Sequence, residues 1–171
     1  VAYSGNFYVP IDIHMPKSRV ELILETLQPL GMIVTKESKT FSEKVATKLI
    51  AIDYEEHVTK GTIDEEILKD IRSKIIDKDP IYATFTSGST GIPKGVLTCH
   101  QSVVDMTEAL CETFGFSEET VFGNQNPFYF DASIKDIYSS LKCGATMHIL
   151  PRSYFMMLSE LITYIINHKI D

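Results

Sequence analysis

Tryptophan is absent from the 171 residues, and cysteine is scarce, with three in all. Cys99, Cys111 and Cys143 form no C-x-x-C pair and are odd in number. That argues against a disulfide framework or a zinc knuckle and for reduced, intracellular thiols. Positive charge is also in short supply: Lys and Arg number 16 against 23 Asp and Glu, a formal net charge of −7. Such a balance repels a phosphate backbone, and no cluster of basic residues interleaved with aromatics offers nucleic acid a surface. No apolar run approaches the roughly 20 residues needed to cross a bilayer. The nearest, Met156 to Ile166, is broken by Ser159, Glu160 and Thr163. The opening residues Val1-Ala-Tyr-Ser-Gly5 have neither the basic start nor the long apolar core of a secretory signal. We expect a cytoplasmic chain with neither a membrane nor a nucleic acid as partner. An initiator Met is missing too, which reads as a processed chain or an excised piece.

What is present is ordinary globular composition, 44% hydrophobic and 23% charged, with enough apolar residues for a core. The acidic residues gather between Asp53 and Asp79, a solvated stretch. Helical and strand-like patterns alternate along the chain, which implies α/β layers. After Pro16, the positions Val20, Ile23, Leu24, Leu27 and Leu30 fit a 3.6-residue period that Gly31 stops. Met32–Thr35 and Ile50–Asp53 read as short strands and Phe41–Leu49 as a helix, a β-after-α order suited to parallel pairing. A helix is expected within Thr62–Ile76, with a boundary at Asp79-Pro80. Strands at Ile81–Thr86 and Gly95–Cys99 then flank a connection, and helical periodicity returns at Val103, Met106, Leu110 and Phe114. Beyond these lie a strand at Thr120–Gln125, a helix at Ser133–Lys142, a strand at Ala145–Leu150 and a helix at Ser153–His168. The stripe Met157, Leu161 and Ile165 of that last helix reads as core. Lys169–Asp171 reads as the entry to a further strand.

The connection Thr86-Ser-Gly-Ser-Thr-Gly-Ile-Pro-Lys-Gly95 carries the most chemistry. Glycines let backbone N–H groups approach a ligand closely, and successive N–H groups in such turns make concave anion sites. Ser87, Ser89 and Thr90 add hydroxyl donors for phosphate oxygens. Lys94 adds a positive charge that can follow a triphosphate or a departing pyrophosphate, and Pro93 stiffens the chain just before it. A Ser- and Gly-rich hairpin turn is the plainer alternative. Ten residues combining hydroxyls, glycines and Pro-Lys-Gly favour phosphate. A Walker A loop is disfavoured, because Lys94 follows Pro93 rather than Gly and a strand follows the loop rather than a helix.

Thr86–Gly95 resembles the phosphate-binding signature of the adenylate-forming superfamily. Gly5-Asn-Phe-Tyr-Val-Pro-Ile-Asp12 is similar to the Gly-x-x-Tyr-x-Pro-x-Asp segment of its amino-acid-adenylating members, and Phe130-Asp-Ala-Ser133 to their Phe-Asp-x-Ser segment. The order and spacing match the branch of peptide-synthetase adenylation domains and D-alanine–carrier-protein ligases over essentially the whole chain. The resemblance implies a truncated part of such an enzyme's large domain, a mainly parallel, layered sheet flanked by helices. Residues 1–78 would end a first α/β subdomain and its connector. Residues 79–171 would form a second, loop-bearing subdomain that is incomplete at its C-terminus.

It also implies ATP and Mg²⁺ as cofactors. Thr86, Ser87, Gly88, Ser89, Thr90, Gly91 and Lys94 would hold the β- and γ-phosphates, with Lys94 and Thr86 as the catalytic candidates. Asp131 would pair with the substrate's α-amino group, with Ala132 and Lys135 beside the same pocket; no protein residue is assigned to metal. From the residues alone, Asp131 reads as a cap on the helix that begins near Ser133. His100 is given a supporting role near the loop, Tyr8 and Asp12 a role in fixing the fold, and Cys143 that of a packed small residue. The partners would be an amino acid and a carrier-protein thiol. The resemblance also places further ATP-binding segments and a catalytic Lys beyond Asp171, so we expect this chain alone not to complete adenylation. Two other readings stay open: an acyl-CoA synthetase fragment, whose substrate has no amine, and a non-catalytic nucleotide-binding module.

Overall fold

A computed structural model describes residues 1–45, 49–88 and 91–171. The chain forms two compact units, Val1–Ile76 with Pro80–Leu97, and Asp77–Asp79 with Thr98–Asp171.

In the first unit, α1 spans Lys17–Leu27 and buries Val20 and Ile23, the face its period indicates. The helix ends four residues before Gly31. Gln28 takes the left-handed conformation at φ 46° and its amide donates to the Leu24 carbonyl, while Pro29 forbids continuation. Gly31 instead opens β1, Gly31–Val34, which pairs in parallel with β2, Ile50–Asp53. Between them lies α2, Lys36–Val45. It starts well before Phe41 because Thr35 and Ser38 cap its first turn reciprocally: the Thr35 amide donates to Ser38 Oγ at 2.8 Å, and the Ser38 amide to Thr35 Oγ1 at 3.4 Å. The expected end of this helix falls partly on residues 46–48, outside the described residues. The third helix, α3, is Glu65–Arg72, shorter than the expected span. The Asp64 carboxylate caps it by accepting from the Glu66 and Ile67 amides.

β3, Pro80–Thr86, and β4, Lys94–Cys99, form a two-stranded sheet. A parallel pair needs a crossover of a dozen or more residues; residues 87–93 are too few, so the pair is a hairpin. Ile81, Tyr82 and Ala83 of β3 are core. The N-terminal segment lies alongside: Tyr8 bridges to Tyr82 in parallel, its amide donating to Ile81 O and its carbonyl accepting from the Ala83 amide. Tyr8 thus does hold the fold together, through backbone pairing.

In the second unit, α4, His100–Phe114, is followed by β5, Val121–Asn124. Then come α5, Ala132–Cys143, and β6, Thr146–Ile149, the last strand pairing in parallel with β5. The α5 side chains Ser133, Ile134, Ser139 and Ser140 are buried. On the other edge of β5, the Asp171 amide donates to the Val121 carbonyl and the Asp171 carboxylate accepts from the Val121 amide. The α/β class and the parallel pairing by way of helices therefore hold, divided into small sheets. The last helix departs from expectation. A 3₁₀ turn at Arg152–Met156 precedes α6, Leu158–His168, and no α6 residue is buried. The stripe expected in the core is partly exposed, with Met157 46% accessible. Among the contacts α6 makes, the Tyr164 hydroxyl lies 3.0 Å from His148 Nδ1 and the His168 ring packs against His148.

Candidate functional site

The loop 87–93 is suspended between two fixed strands. At its N-terminal root, the Arg19 guanidinium on α1 donates to the Phe85 carbonyl at 3.0 Å, and the Phe85 ring packs over Gly95, where an added Cβ would come within 3.1 Å of it. Thr86 Oγ1 lies 3.5 Å from the Lys94 carbonyl across the hairpin, while Pro93 is buried. Inside the loop, the Gly91 amide donates to the Gly88 carbonyl at 2.9 Å. Gly91 sits at φ 79°, a conformation costly for any side chain. At Gly88 the constraint is steric instead: a Cβ would run into the Ile92 carbonyl and approach Lys94 Cγ to 3.2 Å.

Of the sequence candidates, Thr86, Ser87, Gly91 and Lys94 are exposed and Gly88 is half-buried. Ser89 and Thr90 lie outside the described residues. What remains is a tight turn at Gly88 and Gly91, with Ser87 and Lys94 exposed beside it. Arg19 and Phe85, which fix its root, escaped the sequence reading, because neither belongs to a motif. A magnesium ion arriving with a triphosphate would be held mostly by phosphate oxygens and water. Among the described residues no group of three or more His, Cys, Asp or Glu is placed to hold a metal ion.

In the second unit, Asp131 occupies the position preceding α5 and is exposed, yet its carboxylate makes no capping hydrogen bond. The Ser133 hydroxyl satisfies itself on the Phe130 carbonyl at 2.8 Å. Ala132 is half-buried. Lys135 is half-exposed and reaches Asp136 at 3.5 Å. A cavity of about 330 Å³ lies beneath, its wall including Phe122, Gly123, Lys135, Asp136 and Ser139; of the three proposed substrate residues only Lys135 is on it. Asp136 went unremarked in the sequence. Burial lifts its carboxyl above the usual aspartate range, and the Lys135 ammonium offsets this only in part. His100 is the first residue of α4, and its amide is taken by the Asp79 carbonyl at 3.1 Å while that of Gln101 is taken by Asp77 O at 2.9 Å. Those two amides are therefore not free for an anion.

A tight glycine turn between two strands on an α/β scaffold is the feature to be placed, and comparison with known proteins gives the chain a family. The family model described as AMP-binding enzyme matches residues 1–171. This chain belongs to the AMP-binding enzyme family. The D-alanine–D-alanyl carrier protein ligase of Staphylococcus aureus strain MRSA252 is 32% identical over 163 residues, which cover 94% of this chain and 32% of the ligase. The chain thus spans about a third of the length of the curated relatives it matches. Among solved structures, the Vibrio cholerae adenylation domain AlmE, in complex with glycyl-adenosine-5′-phosphate, matches with a TM-score of 0.78 at 18% identity, over 99% of this chain and 35% of that one. A fatty acyl-adenylate ligase from L. pneumophila, in complex with acyl adenylate and pyrophosphate, gives 0.77 at 22% identity, over 98% and 30%. At such identities these two likenesses concern the fold.

Proposed function

We propose that this chain is the phosphate-gripping and amine-recognising part of an ATP-dependent ligase. That ligase activates an amino acid as its aminoacyl-adenylate and hands it to a carrier-protein thiol. The observation that carries the reading is the 87–93 turn: a loop too tight at Gly88 for any side chain, with Thr86, Ser87 and Lys94 exposed around it.

In this reading the substrate carboxylate attacks the α-phosphorus of ATP and pyrophosphate departs. Thr86, Ser87, Ser89 and Thr90 supply hydroxyl donors to the β- and γ-phosphates, and Gly88 and Gly91 let the backbone come close, the Gly91 amide itself being held by the Gly88 carbonyl. Lys94 places its ammonium where negative charge accumulates on the leaving group, so catalysis rests on positioning and electrostatic stabilisation. Magnesium, when bound, neutralises the phosphates further. Asp131 pairs with the substrate ammonium, supported by its freedom from capping α5, and Ala132 and Lys135 stand close to the side chain. A subdomain boundary at residues 78 and 79 belongs to this proposal, although by compactness Pro80–Leu97, with the loop, groups with Val1–Ile76; so do an amino-acid substrate akin to D-alanine and a cytoplasmic setting. Among the described residues no helix is long and apolar enough to cross a membrane.

The test is ATP–pyrophosphate exchange by a protein of the relatives' length that carries this segment, with a panel of amino acids and acyl acids. Exchange driven by an amino acid and lost in Asp131→Ala supports the reading. Exchange driven by fatty or aryl acids and indifferent to Asp131 would favour an acyl-activating enzyme, and no exchange with any acid a non-catalytic nucleotide-binding module.

A further inference from the structure

Cys111 and Cys143 take no part in the reading above, yet their Sγ atoms lie 3.3 Å apart. Cys111 sits one turn before the end of α4, where its carbonyl accepts from the Gly115 amide, and Cys143 is the last residue of α5. These two helices pack against each other, so the sulfurs are brought together by the core of the unit rather than by a wandering loop. Both thiols are half-buried. Cys143 also lies 3.5 Å from the Phe116 carbonyl. Its thiol is held above its ordinary range, first by the hydrogen bond with Cys111 and then by burial. Cys99 differs: its partner is the Ser102 hydroxyl at 3.2 Å, and that bond draws its titration downward.

A disulfide requires the sulfurs at about 2.05 Å, so Cys111 and Cys143 need close by little more than an ångström. The place where they meet can give. Cys143 ends its helix, and Gly144 behind it adopts φ 68° with nothing within 4 Å of where a Cβ would stand, so the small approach falls on the helix end, next to the buried Ser140 rather than through it.

We propose that Cys111 and Cys143 form a reversible disulfide when the protein meets a hydroperoxide, fastening α4 to α5. The Cys111 thiolate attacks one peroxide oxygen. The O–O bond breaks, Cys111 becomes a sulfenic acid, and the other oxygen leaves as water, or as an alcohol from an organic peroxide. Cys143 then attacks the oxidised sulfur, the S–O bond breaks, and a second water departs with the thiol proton. Two thiols are oxidised by two electrons and one hydroperoxide is reduced. The link closes the segment from 111 to 143 in the unfolded chain and so stabilises the folded unit. It lies at the far end of α5 from Asp131, roughly 18 Å along the axis at about 1.5 Å per residue, and leaves the proposed amine contact in place.

The experiment is to expose the purified chain to hydrogen peroxide, block remaining thiols with N-ethylmaleimide, and map peptides by mass without reduction, alongside a thermal melt. We expect a peptide pair joining Cys111 to Cys143, Cys99 outside that link, and a melting temperature raised by about 10 °C. Dithiothreitol should reverse both changes, Cys99→Ser should keep both, and Cys143→Ser should lose both. Should Cys143→Ser fail to fold, the wild-type linkage map decides alone. Links through Cys99, sulfinic acid at Cys111 or Cys143 without a link, or full alkylation of both thiols after peroxide would overturn the proposal.

Discussion

The guanidinium of Arg19 holds the carbonyl of Phe85 at 3.0 Å, across 66 residues of sequence. That bond ties α1 to the end of β3, just before the glycine loop, and it is partly buried, where a charge-assisted hydrogen bond counts for more than on the open surface. Arg19→Met, which keeps the apolar stem, should cost about 1–2 kcal/mol of stability in urea unfolding. It should also weaken nucleotide binding several-fold, because the loop loses its fixed root.

The two loop glycines fail for different reasons when replaced. Gly88→Ala puts a Cβ against the Ile92 carbonyl, backbone that cannot step aside, so triphosphate binding should fall below detection in calorimetry. Gly91→Ala meets open space but keeps φ 79°. It should cost about 1 kcal/mol, roughly a fivefold loss of affinity. Equal effects from the two would contradict the steric account.

Lys94 contributes charge rather than shape. Lys94→Gln should weaken binding of tripolyphosphate about tenfold and flatten its dependence on ionic strength, since an exposed ammonium acts through a screened field. Titrations at two salt concentrations check both.

Ser139 is a buried hydroxyl without a partner: its side chain is completely inaccessible and Oγ has no hydrogen bond. An unsatisfied buried donor costs about 1–3 kcal/mol, so Ser139→Ala should stabilise the unit by roughly 1 kcal/mol in urea or heat.

Asp136, one turn away, links stability to pH. Its side chain is 13% exposed and burial raises its pKa, with Lys135 opposing. The folded state therefore keeps the proton longer than the unfolded chain. As pH rises from the ordinary aspartate range, about 4, through the raised value, the unfolded state gains by ionising first and stability falls. Asp136→Asn should remove that part of the decline, measured as melting temperature against pH.

Local periodicity made much of this legible in advance. Val20 and Ile23 are buried where the 3.6-residue spacing put them, and β2 is Ile50–Asp53 as its apolar run suggested. Boundaries were harder. Gly31 looked like a helix stop, but Gln28 accepted the left-handed conformation next to Pro29, and Gly31 was needed where an added Cβ would lie 3.0 Å from the Ile50 carbonyl. The Thr35-x-x-Ser38 cap was in the sequence as a start signal and went unread. The Met157 stripe shows the limit of pattern, since periodicity marks an apolar face and says nothing of what covers it. At the candidate site, the loop announced itself by composition. Arg19 and the Cys111–Cys143 pair could not, because each matters only through a neighbour distant in the chain, and Asp136 could not, because what marks it is its burial in the fold.

The amide resonances of the chain during titration with Mg-ATP give the most direct view of the cradle. We expect shifts concentrated at Ser87, Gly88, Gly91 and Gly95, abolished in Gly88→Ala. Shifts elsewhere with these amides unmoved, or no shifts at millimolar nucleotide, would contradict it.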